Sequence, residues 1–82
     1  MENENREKLK KVFVSIFKNI DQNNFDFNKD RSQFENWDSL THMQLISEIE
    51  GVFNINFEMD EIVTINKPED LLVLIEKKNN NG

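Results

Sequence analysis

Leu9, Val12, Phe13, Ile16, Phe17 and Ile20 recur at i, i+3, i+4, i+7, i+8 and i+11, the spacing of one face of an α-helix. The stripe predicts a first helix of roughly five turns. A second stripe of Leu40, Met43, Ile46, Ile49, Val52 and Phe53 follows Asp38 and Ser39, whose side-chain oxygens suit the free N–H groups of a helix start. Helix two is therefore expected to open at or beside Ser39. It should close near Gly51 to Asn54, because Gly51 is a poor interior residue and the chain then alternates polar with apolar residues through Phe57. A short third helix is expected over Met59 to Val63, with Glu58, Asp60 and Glu61 at its positive N-terminal end. Pro68, Glu69 and Asp70 suit the first turn of a fourth helix. Its stripe is Leu71, Leu72, Leu74 and Ile75, and Lys77 and Lys78 meet its negative end before it frays over 79–82.

No segment shows a strand pattern, so the expected fold is all-α: a small four-helix bundle of three principal helices and one short one, in a single domain over residues 1–82. With 82 residues and 37% apolar content, there is material for one small core. Burial and ordering entropy nearly cancel in a core of this size, leaving a net stability of only a few kcal/mol. Between the first two helices, residues 21–36 lose all periodicity and fill with Asn, Asp, Lys and Ser around Phe25, Phe27 and Phe34. This reads as a long loop pinned by aromatics. Loops of that length in compact domains are more often functional than idle.

Charge and composition exclude several kinds of chemistry. The formal charge is −6. Residues 1–31 carry seven basic and six acidic side chains, whereas residues 32–76 carry ten acids against the single Lys67. Such a field repels phosphate backbones and attracts basic protein surfaces, so no nucleic-acid partner is expected. There is no cysteine, hence no disulfide framework, thiolate metal site or thiol nucleophile. The longest uninterrupted apolar run is Leu71 to Ile75, too short for a membrane span, and a cytoplasmic location is the expectation.

Three local patterns are candidates for function. Ser39 and His42 stand at i and i+3, within reach of each other on a helix, as a hydrolytic pair would. No glycine-flanked nucleophile turn or cleft-building chain accompanies them, so His42 reads as an ordinary solvent-facing helical residue. Asn24, Asp26, Asn28, Asp30, Ser32 and Glu35 fall on the ligand positions of a calcium-binding helix-loop-helix register. Lys29 occupies the position where that loop needs glycine, and Asn24 replaces its leading aspartate, so no metal site is expected. The third candidate is Ser39 itself. A serine at a helix start is commonly only a cap. Placed after a long exposed loop, it also offers a hydroxyl where free N–H groups and the helix dipole favour a phosphodiester.

The run Trp37-Asp38-Ser39-Leu40, followed by Thr41-His42-Met43-Gln44-Leu45-Ile46 and by the spacing to Phe53, resembles the acyl carrier proteins. The likeness extends to the leading amphipathic helix, long first loop, short third helix, final helix and acidic balance. It implies that Ser39 receives 4′-phosphopantetheine from coenzyme A through a magnesium-dependent phosphopantetheinyl transferase. Acyl groups then ride as thioesters on that arm, presented to the enzymes of fatty-acid, polyketide or related biosynthesis, and the carrier itself is no enzyme. The resemblance further implies that Asp38 and Leu40 are read by the transferase. Helix two, with Thr41, Gln44, Ser47 and Glu48, would face acyl-loading and acyl-using enzymes that carry basic docking patches. Met43 and Ile46 would line the route of an acyl chain into the bundle; ordinary core packing is the alternative for both, and for Ile46 it explains the residue at least as well. The implied carrier is a monomer.

Thr41 and Gln44 stand where the best-known fatty-acid carriers commonly have acids, Gly51 replaces a further acid, and Trp37 occupies a position usually held by a small residue. These departures leave room for a specialised pathway beside housekeeping fatty-acid synthesis. The alternative reading is an acidic helical module that binds a protein partner and is never modified, with a calcium-binding loop a distant third.

Overall fold

The computed structural model describes residues 2–17, 20 and 22–80. The chain forms α1 (Glu2–Ile16), α2 (Ser39–Phe53), α3 (Met59–Ile62) and α4 (Pro68–Asn80), with single 3-10 turns at Gln22–Asn24 and Arg31–Gln33 in the long connection. Among the described residues there is no strand, and no helix is long and apolar enough to cross a membrane. The four-helix arrangement is the one the apolar stripes predict. Their ends differ from expectation in three places. α3 closes at Ile62, with Val63, its expected last residue, as the C-cap. α1 stops at Ile16, with the Phe17 N–H still bonded to the Phe13 carbonyl at 2.8 Å. Ile20, the last residue of its stripe, packs against the core from beyond the helix. Apolar spacing reports which side chains seek the core, not where the backbone leaves the helix. At the other end of the chain, α4 remains helical through Asn80; the rest of the tail expected to fray, Asn81 and Gly82, lies outside the described residues.

The inner face of α2 corrects the sequence reading. Leu40, Met43 and Val52 are exposed, while His42, Leu45, Ile46 and Ile49 are buried. The buried set is itself an i, i+3, i+4, i+7 stripe, but its first member is polar and was read as solvent-facing. Asn54 closes α2 in the left-handed conformation (φ 57°), which asparagine tolerates better than most residues.

The core is one cluster. Leu9, Phe13, Leu45, Ile49, Ile65, Leu71 and Ile75 are fully buried and join all the longer helices. The Phe13 ring lies 5.3 to 5.9 Å from the rings of Phe17, Phe25, Phe34 and Trp37, so α1 supplies the centre on which the connection folds. Backbone bonds complete the anchorage. Arg31 N–H donates to the Asn66 carbonyl at 2.7 Å, and Glu69 N–H, an orphan donor of the first turn of α4, reaches the Phe27 carbonyl at 2.8 Å. α3 is too short to stand alone. Glu61 Oε1 holds it by accepting from Glu58 N–H at 2.8 Å and by pairing with Lys78 Nζ of α4 at 2.9 Å.

Two substitutions test this packing by urea unfolding followed at Trp37. Phe13→Ala removes the hub of the ring cluster and is expected to cost about 3–5 kcal/mol. Gly51 is helical, and a Cβ there would meet nothing within 4 Å. Gly51→Ala is therefore expected to raise stability by about 0.5–1 kcal/mol.

Candidate functional site

The head of α2 is built by a division of labour between two neighbouring residues. Asp38 is the N-cap, with extended backbone (φ −99°, ψ −173°), and its Oδ1 accepts from Thr41 N–H at 2.9 Å. Its carbonyl accepts the first helical bond, from His42 N–H at 2.8 Å. That bond to Thr41 N–H holds the Asp38 carboxyl below the usual carboxylate range. Ser39 is the first helical residue, so capping does not consume its hydroxyl. The side chain is exposed and makes no hydrogen bond among the described residues. It thus stands at the positive end of a fifteen-residue helix, where an anion gains about 0.3–1 kcal/mol from the dipole.

Behind this head, Trp37 and His42 form a buried support that sequence reasoning missed. His42 is 6% exposed, not solvent-facing as its polarity suggested. Its Nδ1 accepts from the Trp37 indole N–H at 2.9 Å, and its Nε2 lies 3.0 Å from the Ile62 carbonyl oxygen. Two committed ring nitrogens leave nothing to serve Ser39 as a general base. The spacing of Ser39 and His42 therefore carries no hydrolytic dyad. A tryptophan five residues ahead of the lone histidine was the legible half of this network; the partner at Ile62 lies twenty residues on and leaves no local signal.

The remaining residues singled out from the sequence divide by face. Leu40, at 72% exposure, leads an outward surface on which Met43, Gln44, Ser47 and Glu48 join Ser15 and Ile16 of α1 around a shallow cleft. Thr41 is half-buried beside it. Ile46 is not part of this surface; it is 2% exposed in the core, so Met43 and Ile46 do not share a wall. In the connection, Asp26 accepts from Asn28 N–H and Asp30 from Ser32 N–H, each at 2.9 Å, and Lys29 lies 4.9 Å from the Phe34 ring centroid. These carboxylates shape local turns. Among the described residues no group of three or more His, Cys, Asp or Glu converges on a metal position.

Compared with protein-family models and with curated proteins, the chain matches none.

Asp38, Asp30 and Glu61 all have lowered pKa values, the first two chiefly through hydrogen bonds from Thr41 and Ser32, and Glu61 chiefly through Glu58 N–H, then Lys78. Each contribution to stability is present above the unfolded carboxylate value, about 3.9 for Asp, and is lost as pH falls through the lower folded value. Asp38→Asn keeps an acceptor for Thr41 N–H and removes the charge. Urea midpoints measured across the acid range should fall less steeply for this variant than for wild type, whereas Asp38→Ala should already be less stable at neutral pH.

Proposed function

We propose that this protein is a carrier of the acyl-carrier kind, in which Ser39 is the point of covalent attachment for 4′-phosphopantetheine. The observation that carries the reading is the uncommitted, exposed hydroxyl of Ser39 at the first position of α2, left free because Asp38 makes the cap. A serine so placed fits a phosphodiester in both charge and access, since the helix terminus favours the anion and the residue is exposed among the described residues. Ser39 supplies the oxygen nucleophile to a magnesium-dependent phosphopantetheinyl transferase. Its O–P bond forms at the pantetheine-side phosphorus of coenzyme A as the P–O bond of the diphosphate bridge breaks, adenosine 3′,5′-bisphosphate leaves, and the hydroxyl proton passes to the transferase.

The arm, once attached, supplies the thiol that this cysteine-free chain lacks, and acyl groups travel on it as thioesters. The chain's own residues do the rest. Asp38 holds the helix head in shape, and Leu40 presents an apolar contact beside the attachment point. Gln44, Ser47 and Glu48 continue the outward face along α2, with Met43 between them. Among the described residues Glu48 is the one acid lining that cleft, so the face suits an enzyme surface with an apolar centre and few basic groups at its edge.

Incubation with coenzyme A, magnesium and a broad-specificity phosphopantetheinyl transferase tests the assignment by intact mass. Wild type is expected to gain one phosphopantetheine, and Ser39→Ala none. If wild type stays unmodified with several transferases, the protein is instead an acidic helical module that binds its partner without an arm.

A further inference from the structure

Among the described residues His42 is the only buried polar residue, and it ties three elements together. It stands in the first turns of α2 and stacks on Trp37 with ring centroids 6.0 Å apart and planes inclined by 30°. Trp37 closes the long connection, two residues ahead of Ser39. Ile62, whose carbonyl meets Nε2, is the last residue of the four-residue α3.

The chemistry of the partners leaves one state for the ring. An indole N–H only donates, so Nδ1 must be the bare nitrogen; a carbonyl only accepts, so Nε2 must carry the proton. A second proton on Nδ1 would set N–H against N–H at a buried contact, where neither group has water to turn to. The imidazolium is thus incompatible with the closed arrangement.

We propose that His42 is a proton-operated latch. The neutral ring clamps Trp37 and α3 onto the head of α2, and uptake of a proton releases both. Charged groups on the surrounding elements include Arg31 of the connection, Asp38 at the head of α2, Glu61 of α3 and Lys78 of α4. The Arg31 guanidinium lies 5.7 Å from the Trp37 ring centroid, Asp38 is bonded to Thr41 N–H, and Glu61 and Lys78 are paired at 2.9 Å. None of them is a hydrogen-bond partner of the imidazole. α3 is the element most exposed to release, because four residues cannot hold a helix without tertiary ties. The latch operates whatever Ser39 carries, and it makes the corner beside Ser39 sensitive to acid.

Nitrogen NMR of the full chain tests this. At neutral pH the ring is expected as the Nε2–H tautomer. Acidification until the ring becomes imidazolium should strip exchange protection, by roughly tenfold or more, from the Trp37 indole N–H and the amides of Ile62 and Val63, with the same midpoint as the ring. The amides of Ile49 and Leu71 should keep theirs. His42→Phe fills the ring volume without its nitrogens, and its α3 amides should be weakly protected at neutral pH with no further response to acid. His42→Gln, which can still donate to Ile62 but does not titrate, gives the same pH-insensitive α3 if the phenylalanine variant does not fold. An Nδ1–H tautomer at neutral pH, an imidazolium with the indole still protected, or a wild-type acid response in the variants overturns the proposal.

Discussion

The aromatic contacts of Phe13 are the constraint on which the rest of the molecule depends. A connection of the length that separates α1 from α2 has little reason to adopt one shape, since its Asn, Asp and Ser residues solvate well and its described residues form only two single 3-10 turns. Phe25, Phe34 and Trp37 end this freedom by packing tilted or edge-on around one ring of α1. The polar backbone of the connection is then satisfied where it lands, against Asn66 and Glu69 at the head of α4. Order in the loop is therefore a tertiary effect, carried by four rings and two backbone bonds.

From Trp37 the constraint passes to the candidate site. With its ring held in the core and its indole N–H spent on His42, the chain must turn outward at Asp38, which caps α2 and leaves Ser39 at the surface. The same histidine reaches Ile62 and brings the short α3 alongside. The exposed hydroxyl and the buried network are thus two sides of one corner, the solvent side holding an unused oxygen and the inner side holding a fully used imidazole. The carrier function proposed for Ser39 would call for a tether point within reach of water and a transferase, set on a defined helix head.

Much of this was legible residue by residue. Leu9 to Phe17 announced α1 by period, Pro68 to Asp70 announced the first turn of α4, and Asp38 with Ser39 announced the start of α2. Which of the two oxygens makes the cap was not legible, because Asp and Ser cap about equally well and only the backbone angles at position 38 separate them. The inner face of α2 was misread for a different reason. Leu40, Met43 and Val52 compete with His42 and Leu45 for the core, and hydropathy favours the wrong set. A polar ring became an inner residue because both of its nitrogens found partners, which removes the desolvation penalty that ordinarily keeps histidine at the surface.

By itself the sequence determined the number and order of the helices and the position of Ser39 at a helix head. Those depend on periodicity, capping and turn chemistry, which act over a few neighbouring residues. Only the tertiary structure decided which face of α2 turns inward, that Ile46 is core while Met43 is surface, and that His42 joins Trp37 to Ile62. These follow from contacts between residues brought together by the packing of α1, α2 and α3, and a choice between two similar faces of one helix is made by what the neighbouring elements offer it.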